Sequence, residues 1–326
     1  MPQQSALFGV ARIRVHEKKL INKEKLARMA EASAQEALRL LLDSGYGTMP
    51  EATIEDSEEI IASALSQTYS LVREVTPNSL LTDIFLMKAD IHNLKLLLKL
   101  RLTGSTEEPA FMSGGVYSTE ALSQMVASSD YSALADWLCA AMESLEQSFV
   151  SHINPVKISV QLDNAYMEYA LKNGNSFVVE YFKAQADFNN VLAALRLRAM
   201  NQGADKLKEV FIPGGDITFL TLSCAMEVPV EAFAKAVSTG PASRSIQLGI
   251  DAMLRTGRIS SLERERDNYL IVLAGRNKGE IDTIAPIIGF LLAREQEARS
   301  IRLILTAKRN NLPDSIISER LRELYG

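Results

Sequence analysis

Three histidines (His16, His92, His152), two cysteines (Cys139, Cys224) and two matching aspartates (Asp90, Asp187) are the side chains best suited to metal or acid–base chemistry. Their spacing argues against both. No histidine stands in a Glu-x-x-His or His-x3-His pair, so no helix face presents two nitrogen ligands to one ion. The cysteines lie singly in apolar helical stretches and read as buried, reduced thiols without a disulfide. There is no Gly-x4-Gly-Lys-Ser/Thr loop to cradle phosphate and no Gly-x-Gly-x-x-Gly following a strand. No Gly-x-Ser-x-Gly elbow is present to expose a nucleophile. The glycine pairs 114–115 and 214–215 each precede a helix start and read as tight entry turns. Glu58-Glu59 and Glu107-Glu108 read as surface acid pairs, and Trp137 as core. No catalytic residue, cofactor or metal site is expected, and an enzyme is disfavoured.

What must position these residues is a repeat. Residues 89–101 read ADIHNLKLLLKLR, residues 186–198 read ADFNNVLAALRLR, and residues 297–309 give a degenerate copy, EARSIRLILTAKR. Duplication at a period near one hundred residues points to copied domains. A shift of 96 pairs Leu26 with Leu122 and Met29 with Met125; a shift of 97 pairs Tyr69 with Tyr166 and Asp90 with Asp187. A shift of 100 carries Gly114-Gly115 onto Gly214-Gly215 and Tyr169 onto Tyr269, and an insertion near Gly275 to Gly279 precedes the last copy. Three tandem helical domains follow, 1–107, 108–208 and 209–326. Ser79 and Ser176 are placed as helix N-caps, and the closing helices are expected to stop at Gly104, at Gly203 and before Pro313.

Composition agrees with an all-α fold. Of the 326 residues 47% are hydrophobic, enough for a substantial core, and apolar residues recur at helical spacing nearly throughout. Val156 to Val160 is the best candidate for a strand, and a weak one. The longest uncharged apolar run, Thr283 to Ala293, is too short to cross a bilayer, and the N-terminus lacks a secretion signal. A net charge of −5 argues against bulk nucleic-acid binding.

On a helical wheel, Ile91, Leu94, Leu97, Leu98 and Leu100 share one apolar arc, and Asp90, Asn93 and Arg101 fall inside it. Their counterparts Asp187, Asn190 and Arg198 recur at the same places, so all six read as semi-buried polar groups that fix helix register. A carboxylate site shared by Asp90 and Asp187 is the functional alternative, disfavoured because the two belong to separate domains. The opposite arc carries His92, Lys95 and Lys99, then Asn189, Leu192 and Arg196, then Arg299, Arg302 and Thr306. It reads either as separate solvated faces or as a partly basic surface. Lys95, Lys99, Arg196, Arg299 and Arg302 are the candidate partner-docking residues.

These motifs together resemble the C subunit of prokaryotic V/A-type ATPases, the counterpart of the d subunit of eukaryotic V-ATPases. The resemblance rests on Arg-Ile-Arg-Val (12–15), Asp-Ile-His-Asn-Leu-Lys (90–95), Asp-Phe-Asn-Asn-Val (187–191), the two Gly-Gly turns, Leu-Glu-Arg (262–264) and the segment 301–313. It implies three similar helical domains related by pseudo-threefold symmetry in a funnel or socket. It further implies a non-catalytic rotor component on the cytoplasmic face of the membrane, seated on the proteolipid ring and receiving a central shaft made of the D and F subunits. A helical adaptor with an unrelated protein partner is the competing reading, and a helical enzyme the third. The adaptor reading predicts an open superhelix of short repeats, which a three-copy repeat of this length does not suit.

Overall fold

A computed structural model describes residues 6–47, 51–105, 109–149 and 155–325. His152, the Glu107-Glu108 pair and the first repeat boundary lie outside the described residues. In chain order the helices are α1 (Ala6–Glu17), α2 (Lys23–Glu31), α3 (Ala34–Leu42), α4 (Ser57–Val75), α5 (Ser79–Thr103) and α6 (Thr119–Ser128). They continue with α7 (Asp136–Phe149), α8 (Pro155–Asn173), α9 (Ser176–Ala199), α10 (Ala204–Val210) and α11 (Phe219–Glu227). The last are α12 (Val230–Ala236), α13 (Ser243–Thr256), α14 (Ser260–Arg276), α15 (Ala285–Arg309) and α16 (Asp314–Arg320). With one short 3-10 turn at Ile54–Asp56, every regular element among the described residues is helical. The segment Val156–Val160, the candidate strand, lies within α8. Proline suits the first position of that helix, and Ile158 and Leu162, four apart, are both fully buried on one face.

Short polar side chains start these helices. Asn22, Ser118 and Thr218 cap α2, α6 and α11 by accepting the backbone N–H groups of Lys25, Ala121 and Thr221. The long helices α5 and α9 are started by asparagine, not by the serines that the sequence suggested. Leu80 N–H donates to Asn78 Oδ1 at 3.0 Å, and Val178 N–H to Asn175 Oδ1 at 3.0 Å. Ser79 and Ser176 are the first helical residues, and a cap must stay outside the helix, as the extended backbone of Asn175 does.

Helix ends repeat as closely. Gly104, Asn201 and Asn311 all adopt the left-handed conformation, with φ of 62°, 54° and 54°. The next residue in each case donates to a carbonyl five positions back: Ser105 to Leu100, Gln202 to Leu197 and Leu312 to Ala307. These are matching Schellman caps. The second stop therefore falls at Asn201, because asparagine tolerates this backbone, while Gly203 opens α10.

The chain forms two compact units, one from residues 1–82 and 260–326 and the other from residues 83–259. These cut the chain at different places from the sequence repeat. In the first unit α15 is the central helix, packed by α1, α3, α4 and α14. Ile287, Ile288, Leu291, Ile301 and Ile304 along it are fully buried. Where α1 approaches α4 and α15, a Cβ at Gly9 would lie 2.3 Å from the Val75 carbonyl oxygen, so only glycine allows that approach. In this unit α16 packs against α2, and Lys23 forms an ion pair with Glu323.

The second unit packs α5 against the helices that follow it. Ile91, Leu94 and Leu98 join Leu122, Leu138, Met142 and Leu162 in one core cluster. An aromatic group of Phe85, Phe177, Tyr181 and Phe182 lies nearby, with ring centroids of Phe85 within 6.1 Å of each partner.

Candidate functional site

In α5, Asp90 and Asn93 are one turn apart and essentially without solvent exposure. A buried carboxylate needs donors, and the chain leaving α5 supplies them. Val116 N–H donates to Asp90 Oδ2 at 2.7 Å and Tyr117 N–H to Oδ1 at 3.1 Å. Asn93 holds the same returning segment at two points, donating to Met112 O at 2.9 Å and accepting from Met112 N–H at 2.8 Å. Two turns on, Arg101 donates to the Val126 carbonyl at 2.7 Å and to the Glu146 carboxylate at 2.5 Å. The polar residues in the apolar arc of α5 thus clamp the next segment onto the helix.

The same clamp is written again in α9. Ile217 N–H donates to Asp187 Oδ1 at 2.8 Å, and Asn190 exchanges a bond pair with Ile212 at 2.7 and 2.9 Å. Arg198 donates to the carbonyls of Ala225 and Val228. Burial pushes the Asp187 carboxyl up to about 6, opposed by the backbone N–H groups of Ile217 and Asp216. The glycine pairs do more than open helices. A Cβ at Gly115 would lie 2.2 Å from Asp90 Oδ1, and one at Gly215 would lie 2.2 Å from Asp187 Oδ1. The loop approaches each carboxylate so closely that no side chain fits.

A third carboxylate does this work in α15, one register step from where the written copies suggested. The matching caps at Asn201 and Asn311 are 110 residues apart, and that shift carries Asp187 onto Glu297, Asn190 onto Ser300 and Arg198 onto Lys308. Glu297 is 2% exposed and accepts from the Ile21 N–H, the Tyr46 hydroxyl and the Arg294 guanidinium. Ile21 immediately precedes the α2 cap Asn22, as Tyr117 precedes Ser118 and Ile217 precedes Thr218. The N-terminal segment, rather than the chain leaving α15, fills this third clamp. Desolvation pushes the Glu297 carboxyl upward against the pull of Arg294. Sequence reasoning missed Glu297. The signal was present in the outward positions, where His92 to Arg299, Lys95 to Arg302 and Lys99 to Thr306 are already spaced by 207.

The candidate docking residues lie on α5 and α9 in the second unit and on α15 in the first. Lys95 forms an ion pair with Asp163, and Lys99 donates to Ser159 Oγ at 2.8 Å, so both face α8. Arg302 pairs with Glu58 at 2.5 Å. Arg196 and Arg299 are exposed. The arc they were drawn from is not uniformly outward: Leu192, at its centre in α9, is 2% exposed. The thiols also depart from expectation, with Cys139 partly exposed and Cys224 exposed, both free. Trp137 is partly buried and stacks on Tyr169 at 4.5 Å, beside a groove of about 710 Å3 between α7 and α8. Among the described residues no group of three His, Cys, Asp or Glu is placed to hold a metal, and no helix is long and apolar enough to cross a membrane.

Comparison with known proteins decides what this scaffold belongs to. The family model for the ATP synthase (C/AC39) subunit matches residues 9–320, nearly the whole chain. The chain belongs to this family. Among its relatives is the C subunit of the V-type sodium ATPase of Enterococcus hirae, 24% identical over 326 residues, covering 96% of this chain and 97% of the relative. The C subunit of the A-type ATP synthase of Pyrococcus abyssi is 21% identical over 340 residues, covering 97% and 89%. That of Methanothermobacter thermautotrophicus is 24% identical over 340 residues, covering 95% and 86%. The matched span thus takes in all of the second unit of this C/AC39 chain and most of the first.

Proposed function

We propose that this C/AC39 chain is a non-catalytic rotor component of a V/A-type ATPase, joining a central shaft of D- and F-type subunits to the proteolipid ring on the cytoplasmic face of the membrane. The observation that carries this reading is the end-to-end match to the family and to relatives named as the C subunit of such ATPases. The fold is suited to it. A coupling body must transmit torque without flexing, and buried carboxylate clamps tie each long helix to a neighbouring segment at fixed register. Docking is assigned to the cationic positions Lys95, Lys99, Arg196, Arg299 and Arg302. Arg196 and Arg299 are the two that present exposed side chains.

The test is binding of the purified chain to a D–F shaft complex and to isolated proteolipid rings at low and high salt. Charge reversal at Arg196 and Arg299 together is expected to weaken binding and flatten its salt dependence. Unaltered association with both partners after reversal of all five, in protein shown to be folded, would refute the docking assignment. ATP turnover by the isolated chain would refute the non-catalytic role.

A further inference from the structure

A small polar cavity of about 130 Å3 lies within the first unit, between α1, α4, α15 and the turn after α3. His16, Lys19, Arg294, Ser44, Gln67 and Thr68 line it. The volume is about four times the ~30 Å3 share of one water in the liquid, which gives room for a single small ion. Three basic side chains converge here, His16 from α1, Lys19 from the turn that follows it and Arg294 from α15. Lys19 has no ion-pair partner and His16 no hydrogen-bond partner among the described residues; His16 meets only the edge of Phe290, at a centroid distance of 6.4 Å. Arg294 lies over the Tyr46 ring at 4.5 Å and spends Nη1 on Glu297. Its remaining N–H groups have no partner among the described residues.

The local field is positive. His16 is held below the usual imidazole range by burial and by Lys19, Arg12 and Arg294, in that order. The buried carboxylates nearest in sequence are already engaged: Glu17 by Arg14, Glu295 by Tyr69, and Glu297 by Ile21, Tyr46 and Arg294. Carbonyls at the ends of α1 and α3 do not offset this charge, because turn N–H groups occupy them: Lys19 to His16 O at 3.0 Å and Gly45 to Leu42 O at 2.9 Å. The hydroxyls of Ser44 and Thr68 donate to Leu40 O and Ala64 O. Donors left facing the cavity are therefore the imidazole, the ammonium, the guanidinium and the Gln67 amide.

We infer that this cavity is a binding site for one tetrahedral oxyanion, a phosphate group held by His16, Lys19 and Arg294. The inference stands apart from the rotor reading, since it concerns only the interior of one unit. Phosphate there reverses the repulsion that His16 feels and favours its protonated form.

The test is an NMR pH titration of His16 in the full chain, in sodium phosphate and in sodium chloride at equal ionic strength, with His92 as internal reference. Phosphate is expected to raise the His16 midpoint by about one unit while leaving His92 in place. Lys19→Glu, at an exposed position that leaves the core intact, is expected to abolish the response. A nucleoside monophosphate forms a third arm. Response to phosphate alone marks a site for the free ion, and response to both marks one open to phosphoryl groups on larger molecules. Equal His16 midpoints in phosphate and chloride, or an undiminished phosphate response in Lys19→Glu, would overturn the inference.

Discussion

Removing the Glu297 carboxylate isolates what a non-covalent joint contributes. In Glu297→Ala the Ile21 N–H, the Tyr46 hydroxyl and the Arg294 guanidinium lose one common acceptor at a site that is 2% exposed. Breaking a buried ion pair by deleting one partner costs about 3–5 kcal/mol, most of it from the cation left without a counter-charge. At ~1.4 kcal/mol per factor of ten, that corresponds to roughly a thousandfold increase in opening of whatever the joint holds. What it holds is the start of α2, because residues 20–22 reach α15 through this contact. Hydrogen exchange by mass spectrometry is therefore expected to show peptides from 20–46 losing protection well before peptides from 83–105. Asp90→Ala is the matched control. It removes the acceptor for Val116 and Tyr117, but that segment is chain-continuous with α5 and has Asn93 and Arg101 to keep it in place. Protection over 20–46 that is unchanged in Glu297→Ala, or lost equally in both variants, would refute the joint.

Asp187, buried and pushed up to about 6, makes the fold prefer the protonated carboxyl relative to the unfolded chain. Stability from this group is fully present below pH ~4 and is lost as pH rises through 6, an effect of ~3 kcal/mol. Urea unfolding of Asp187→Asn against wild type is expected to show a flatter profile between those limits; parallel profiles would remove Asp187 as the cause. Gly115→Ala and Gly215→Ala each place a methyl 2.2 Å from a carboxylate oxygen and are expected to cost about 1–3 kcal/mol by overpacking, read as a lowered urea midpoint.

Much of the fold was legible because helices announce themselves locally. The polar intruders Asp90, Asn93 and Arg101 stood out against Ile91, Leu94 and Leu98, and their repetition at 97 residues marked them as structural partners. What the wheel could not show was which neighbour would cover each face. Lys95 and Lys99 read as outward only until α8 supplies Asp163 and Ser159. Leu192, set among polar positions, is buried by packing that no single-helix projection contains. Capping failed by one or two residues for a related reason: Asn-Ser and Asn-x-Gly each offer two competent residues, and backbone geometry chooses between them. The partner of Glu297 was hidden for a topological reason. Its donor is some 276 residues earlier in the chain, so no local pattern joins them.

The make-up of the first unit from residues 1–82 and 260–326 sets an order of events during synthesis. The N-terminal helices leave the ribosome while the helix that will bury them is still untranslated. The 177 residues in between take on the order of 9–35 s to make at ~5–20 residues per second. Throughout that interval Ile13, Leu26, Met29, Leu41 and Val72 have no α15 to pack on, whereas residues 83–259 carry their own core and can fold as they emerge. A chain released early thus displays an unsatisfied apolar surface at its N-terminus. Only a fully translated chain conceals it, which gives a proteostasis system a simple criterion for discarding truncated chains before they enter an assembly.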